Sequence, residues 1–148
     1  KAVAFGEALR PEFRAYIARV VENCAALGEG LVAGGLRLVS GGTDNHLCLV
    51  DLTASGVTGR DAERLLDGVG LTVNKNAIPG EPRSPFVTSG IRVGSAAGTT
   101  RGFTAGEFRE IGGLIARAVF HADDAGELAA IRGRTSELLA AHPLYPEL

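Results

Sequence analysis

The residues best suited to chemistry lie in one segment, between positions 73 and 94. Asn74 and Asn76 stand near its start, and Arg92 stands near its end, in a short apolar stretch between two glycines. A planar guanidinium with apolar neighbours suits bidentate binding of a carboxylate or phosphate, and an internal ion pair is the alternative. The segment therefore predicts an anion site at Arg92, with the ion pair left open.

Three other patterns resemble functional motifs but fail on their context. Residues 28–33 match the G-x-G-x-x-A dinucleotide fingerprint, yet they end a predicted helix instead of following a strand. Ser40, Asp44 and His46 lie close together in sequence without a G-x-S-x-G elbow, so a polar turn explains them better than a hydrolytic triad. We expect no metal site, because no partner stands at metal-ligand spacing from the three histidines, His46, His121 and His142.

Composition narrows the class of protein. The 148 residues carry 15 Lys+Arg against 17 Asp+Glu, a formal net charge of -2, and 45% of them are hydrophobic. This balance provides no broad basic field for nucleic acid, and no apolar run is long enough to cross a membrane. We therefore expect a soluble globular domain with neither nucleic acid nor membrane as a partner.

Cysteine, methionine and lysine are the informative rare residues. Cys24 and Cys48 form no CxxC pair and are typical of buried thiols in a reducing compartment, so we expect a cytoplasmic location. The chain contains no methionine and begins with Lys1 inside a predicted helix, which favours a part of a longer protein. Since Lys1 and Lys75 are the only lysines, lysine-dependent chemistry has few positions available.

Hydrophobic spacing predicts the elements of the first half. Apolar residues at steps of three and four, from Leu9 to Leu31, predict a long helix within residues 1–33. Pro11 belongs either to its first turn or to a kink. Residues 36–39 and 46–52 then predict two strands joined as a hairpin.

The second half reads as alternating helices and short strands. Thr58, Thr104 and Asp124 each precede an acidic residue by three positions, which is typical of a helix N-terminus. Strands are predicted at 71–73 and 90–94, separated by a proline-rich loop. The order predicts an α/β fold, a two-layer α/β sandwich with helices packed on a small sheet. We assign residues 1–148 to one domain, with a connecting helix over 1–33 and a small α/β domain over 34–148.

Three blocks of sequence resemble the serine hydroxymethyltransferase family. In order they are SGGTDNHL at 40–47, VNKN at 73–76 and SPFVTSGIRVG at 84–94. The resemblance extends from Lys1 to near the end of the chain, but it covers only the C-terminal small domain of that family and the helix leading into it. It implies the fold of the C-terminal domain of fold-type I pyridoxal-phosphate enzymes.

The resemblance also implies an activity for the full-length protein. Family members transfer the hydroxymethyl carbon of serine to tetrahydrofolate, leaving glycine and methylenetetrahydrofolate. The lysine that holds pyridoxal phosphate in this family belongs to a stretch absent from this chain, and Lys75 lies in a different motif. We therefore expect the chain alone to bind no pyridoxal phosphate and to be inactive. The implied parent is a cytoplasmic homodimer or homotetramer in which this domain packs on its own large domain.

Matching motif by motif, the resemblance implies roles for five residues. Arg92 corresponds to the arginine that binds the carboxylate of serine or glycine, and the folate contacts correspond to Asn76, Ser84, Pro85 and Phe86. No catalytic residue and no metal ligand is expected on this chain, and the role of residues 80–83 stays open.

Two other functions remain open on the residues alone. One is a stand-alone, non-enzymatic α/β module that binds an amino acid or organic acid through Arg92. The other is an interaction domain whose long first helix packs on a partner protein.

Overall fold

The chain begins with two helices instead of one. The structure, a computed structural model, describes residues 1–144. Helix α1 spans Ala2–Ala8 and α2 spans Pro11–Ala33. Arg10 between them is extended, with φ −76° and ψ 147°, because a residue that precedes proline avoids the helical region. The single helix predicted over 1–33 is thus divided, with Pro11 in the first turn of α2.

Four short strands form one antiparallel sheet. They are β1 Arg37–Leu38, β2 Leu47–Asp51, β3 Asn74–Asn76 and β4 Gly90–Gly94, in the spatial order β1-β2-β4-β3. The predicted hairpin is confirmed, since β1 pairs with β2.

The strand predicted at 71–73 is wrong, because the observed strand is β3, which begins only at Asn74. Leu71 donates its backbone N–H to the carbonyl of Leu66 at 2.9 Å, after Gly70 turns the chain with φ +84°. Residues 71–73 therefore complete the exit from a helix, and pairing with β4 begins only at Asn74. Local β-propensity of Leu-Thr-Val is overridden by the geometry of the preceding helix end.

Helices fill the second layer. Besides a 3₁₀ turn at Thr53–Ser55, they are α3 Gly59–Gly68, α4 Ala96–Thr100, α5 Ala105–Phe120 and α6 Ala125–Ala141. The predicted N-termini are confirmed, because Thr58, Thr104 and Asp124 each accept hydrogen bonds from backbone N–H groups in the first turn. The sequence did not predict α4, a single short turn of small residues.

The core lies between the sheet and the layer formed by α2, α3 and α5. Cys48 and Val50 of β2 and Ile91 and Val93 of β4 are all buried on that side. Within residues 1–144, none of the helices combines the length and hydropathy needed to span a bilayer. The α/β class and the two-layer sandwich are therefore confirmed, and residues 145–148 of the predicted domain lie outside the described residues.

Glycines explain the false dinucleotide motif. A Cβ added to Gly30 of α2 would lie 2.1 Å from the carbonyl oxygen of Arg109, and one added to Gly112 of α5 would lie 2.5 Å from that of Leu27. The two helices therefore cross with their backbones in direct contact. The G-x-G pattern serves helix packing, and no strand precedes it to form a nucleotide site.

Candidate functional site

The site lies on the face of the sheet that the helices leave uncovered. Side chains alternate between the two faces of a strand, and in β4 Ile91 and Val93 are buried while Arg92 between them is exposed. Arg92 therefore projects from the uncovered face. A charged residue can therefore stand between Ile91 and Val93 in sequence, because those two side chains lie on the opposite, buried face.

Register places two amides beside Arg92. In the antiparallel sheet Asn74 lies directly opposite Arg92, and Asn76 lies opposite Gly90. Gly90 permits a close approach, because a Cβ there would lie 2.7 Å from both Ile78 Cγ2 and the carbonyl oxygen of Val50. The sheet thus brings one guanidinium and two amide groups onto one face.

Arg92 has no protein partner among residues 1–144. Eight ion pairs join charged side chains in that part of the chain, and none includes Arg92. The internal ion pair that the sequence left open is therefore not formed there. Five N–H donors of a planar fork remain available to an external anion.

The loop that connects β3 to β4 is organised by Glu81. Its carboxylate accepts the backbone N–H groups of Ile78 at 3.2 Å, Arg83 at 3.0 Å and Ser89 at 2.8 Å. It also accepts the hydroxyl of Ser89, which is completely buried. Glu81 therefore joins both ends of the loop, which gives a structural role to residues 80–83.

These hydrogen bonds also set the ionisation of Glu81. Desolvation raises the pKa of this carboxyl, but the hydroxyl and backbone donors of Ser89, Arg83 and Ile78 outweigh it and lower the pKa to about 2. The loop is therefore held by a carboxylate at every physiological pH.

Backbone hydrogen bonds hold the turn at Ser84, Pro85 and Phe86, while its aromatic ring is exposed to solvent. Ser84 accepts the N–H groups of Val87 at 2.9 Å and Thr88 at 3.0 Å. The Phe86 ring itself is 82% exposed. Among residues 1–144 no hydrogen bond links this turn to Arg92 or to Asn76, whose Nδ2 donates to the carbonyl of Ala77 at 2.8 Å. The structure thus brings Asn76 close to Arg92 and leaves the turn as a separate feature.

Helix α3 contacts the segment after the turn at Thr88, whose backbone is strained. Thr88 has φ +58°, a conformation rare for a β-branched residue, and its carbonyl accepts the N–H of Gly59 at 3.1 Å. A Cβ on Gly59 would lie 2.1 Å from Thr88 Oγ1. The first turn of α3 therefore fixes the chain just before it enters β4.

Lys75 is not placed to hold a pyridoxal cofactor. Its Nζ pairs with Glu63 Oε2 of α3 at 3.2 Å, and its backbone N–H donates to Oε1 at 3.0 Å. Alternation along β3 places Lys75 on the helix-covered face, opposite to the face of Asn74 and Asn76. Lys1, the other lysine, stands at the exposed start of α1. The residues described here therefore do not fit the Schiff-base role.

A metal centre also finds no support in the described part of the chain. Among residues 1–144 there is no group of three or more His, Cys, Asp or Glu side chains arranged to hold a metal ion. His142, one of the three candidates, instead contacts Glu107 Oε1 at 2.7 Å.

Fold and site together define a two-layer α/β domain whose uncovered sheet face presents two asparagines beside an arginine that is unpaired within residues 1–144. The sequence model described as serine hydroxymethyltransferase matches residues 1–115. The chain belongs to the serine hydroxymethyltransferase family.

Three bacterial relatives illustrate the similarity. The chain is 57% identical to a serine hydroxymethyltransferase of Novosphingobium aromaticivorans over 100% of its own length. It is 58% identical to that of Erythrobacter litoralis over 99%, and 57% identical to serine hydroxymethyltransferase 1 of Cupriavidus pinatubonensis over 98%. In each case the chain spans 35% of the length of the relative.

Sequence reasoning missed two parts of the site. Glu81 stands in a segment that matched no motif, and only its position between two prolines hinted at a loop. Arg37 and Asp51 form an ion pair on the uncovered face, which depends on the β1–β2 register. The sequence can indicate this pair only if the hairpin register, which places Arg37 opposite Asp51, is known.

Proposed function

We propose that this chain is the C-terminal, substrate-binding domain of a serine hydroxymethyltransferase. In that enzyme the hydroxymethyl carbon of serine passes to tetrahydrofolate, giving glycine and methylenetetrahydrofolate. The observation that carries the proposal is Arg92, exposed on the uncovered sheet face and unpaired within residues 1–144. Membership of the family supports it.

Arg92 binds the carboxylate of serine or glycine in this proposal. A guanidinium donates two parallel N–H bonds to a carboxylate, which fixes the orientation of the amino acid as well as its position. Orientation is the useful contribution, because a substrate held in the reactive geometry has already lost its rotational entropy on binding, before the chemical step. Arg92 acts as an anchor and transfers no proton.

Folate contacts are assigned to Asn76, Ser84, Pro85 and Phe86. The amide of Asn76 offers a donor and an acceptor, and the exposed ring of Phe86 offers a flat apolar surface to a ring system. Glu81 holds the connecting loop, so the turn is pre-organised before the ligand arrives. These features support a rigid platform for tetrahydrofolate.

The cofactor belongs to the rest of the enzyme in this proposal. Pyridoxal phosphate, when bound there, supplies the electron sink for carbon–carbon bond cleavage. Neither lysine of this chain is assigned to it, and the chain alone is expected to be inactive. Its own contributions are the binding and orientation of the substrate.

The parent protein is expected to be a cytoplasmic homodimer or homotetramer. Cys24 and Cys48 are free, buried thiols, which suits a reducing compartment. Val3, Phe5 and Leu9 are 78%, 67% and 87% exposed around α1, an apolar surface suited to cover by the large domain.

Assay of the full-length protein tests the proposal directly. With serine and tetrahydrofolate we expect glycine and methylenetetrahydrofolate in equal amounts, measured by chromatography. Arg92→Ala should abolish this turnover. Serine binding without any transfer would contradict the proposal and favour a binding module instead.

A further inference from the structure

Asp51 is the acidic group nearest to Arg92 in the sheet register. Asp51 lies directly opposite Gly90, and Arg92 is two residues further along the same strand. Residues opposite one another share a face, as do residues two apart, so Asp51 and Arg92 are diagonal neighbours on the uncovered face. Diagonal neighbours are separated by roughly 7–8 Å, within reach of a long side chain. Gly90 places no side chain between them.

The structure shows Asp51 fully engaged by other groups. Arg37, opposite it on β1, donates from Nε to Oδ2 at 3.0 Å and also from Nη2 to the same oxygen. The second carboxylate oxygen, Oδ1, accepts the backbone N–H of Thr53 at 2.8 Å. Asp51 is only 7% exposed, whereas the Arg37 side chain is 65% exposed. A buried carboxylate is thus satisfied by an arginine from the rim of the sheet.

The same contacts keep Asp51 charged. Desolvation raises the pKa of this carboxyl, but hydrogen bonds from Thr53 and the charge of Arg37 outweigh it, so the pKa is lowered. An ionised, buried carboxylate requires a partner, because a buried charge left unpaired is strongly destabilising. Apart from Arg37, Arg92 is the arginine that the described strands place on this face.

We propose that Arg37 is a positioning residue: by occupying Asp51, it keeps the guanidinium of Arg92 free for the substrate carboxylate. The inference rests on the anchoring role proposed above for Arg92. The described strands place two arginines and one carboxylate on this face, and the assignment of Asp51 to Arg37 leaves one positive charge in excess at Arg92. Without Arg37 the substrate would have to displace Asp51 from Arg92 before binding.

A double-mutant rescue tests this in the full-length protein. Arg37→Ala should raise the serine Kd, measured by calorimetry, about tenfold, because Arg92 then pairs with Asp51. Asp51→Asn keeps the acceptor for Thr53 but removes the charge that competes for Arg92. The double variant Arg37→Ala with Asp51→Asn should therefore bind serine within about twofold of the wild type.

Controls separate positioning from general damage. Arg109→Ala breaks the exposed pair with Glu29 on the helical layer and should leave the serine Kd unchanged. At saturating serine, kcat of Arg37→Ala should stay within about twofold of the wild type, since only the competition for Arg92 has changed. Arg37→Gln, which keeps most of the side-chain stem, replaces Arg37→Ala if the latter does not fold.

The outcomes discriminate between the two proposals. Weakened binding in Arg37→Ala that persists in the double variant would mean that Arg37 contacts the substrate itself, which overturns the inference. Unchanged serine binding in Arg37→Ala and Arg37→Gln would overturn it as well. Wild-type protein that fails to bind serine at all would instead refute the proposed function, and the inference with it.

Discussion

Charged residues of the sheet differ in whether another side chain already pairs with them. Arg37 pairs with Asp51 and Lys75 pairs with Glu63, whereas Arg92 has no partner among residues 1–144. An arginine that is fixed in a strand and unpaired retains its full hydrogen-bonding capacity for a ligand. Ion pairing therefore distinguishes Arg37 and Lys75, which bind carboxylates of the domain, from Arg92, which is proposed to bind substrate.

The proposed folate contacts lead to a prediction about which of two reactions a substitution impairs. In the full-length enzyme, Asn76→Ala should raise the folate KM about twofold to tenfold, since one hydrogen bond to a partly buried amide is lost. Phe86→Ala should act in the same direction. Folate-independent cleavage of a 3-hydroxy amino acid, measured in parallel, should be far less affected. Equal damage to both reactions would indicate a structural role for the loop.

Glu81 leads to a prediction about pH. Its pKa falls from 4.5 to about 2, so its stabilisation of the loop is complete above about pH 4.5 and is lost as the pH falls toward 2. Amide exchange at Ser89 should therefore show no Glu81 titration from about pH 5 upward. Glu81→Gln should speed that exchange on the order of tenfold, because the amide group replaces an accepting oxygen with a donor. Exchange that is equally slow in both proteins would refute the organising role.

At the level of elements, one close crossing holds the helical layer together. Helices α2 and α5 meet at Gly30 and Gly112, where backbone atoms of one helix occupy the space of a Cβ on the other. The sheet is linked to this crossing through α2, which contacts β1 and β2 on one side and α5 on the other. Small residues at such a crossing allow approach that no larger side chain permits.

Alanine substitution of a glycine inside this crossing and of a helical glycine outside it should therefore have opposite effects on stability. Gly30→Ala should lower the free energy of unfolding by roughly 1–3 kcal/mol, because its Cβ would meet the Arg109 carbonyl at 2.1 Å. Gly113→Ala, also in a helix but with no heavy atom within 4 Å, should raise it by about 0.5–1 kcal/mol. Urea unfolding of both variants measures the difference. Similar stabilities would show that the crossing is looser than the structure indicates.

Local signals predicted the elements well, and long-range pairing decided the rest. The hairpin, the three capped helices and the strand around Arg92 follow from periodicity and capping residues within short windows. The strand at Asn74–Asn76 does not, because these residues have low β-propensity and pair only through contact with β4. The Arg37–Asp51 pair likewise depends on register between β1 and β2. The sequence predicted a site at Arg92, and only the folded sheet shows that no side chain within residues 1–144 pairs with it.

The two faces of the sheet differ in what covers them within residues 1–144. The helical layer covers one side of the sheet, while the other side carries Arg92, and apolar residues of α1 are separately exposed. The chain spans 35% of the length of the relatives it matches. The proposed function assigns substrate anchoring to this chain and cofactor binding to the rest of the enzyme.

That division predicts how the 148-residue chain behaves when it is isolated. After incubation with pyridoxal phosphate and reduction by borohydride, we expect no stoichiometric adduct, because Lys75 is paired with Glu63 on the covered face. Mass spectrometry with peptide mapping checks this. A reduced adduct located on Lys75 would contradict the assignment of the cofactor to the rest of the enzyme.

Arg92 is proposed to bind the substrate carboxylate through its planar guanidinium. Serine binding and turnover by the Arg92→Lys variant of the full-length enzyme test this role most directly. Lysine keeps the charge but loses the bidentate geometry, so kcat/KM for serine should fall roughly 30-fold to several-thousand-fold. Thermal stability, measured on the same preparation, should stay close to that of the wild type, since Arg92 has no partner to lose among residues 1–144. Unchanged serine affinity, or a lowered Tm with normal affinity, would contradict the account.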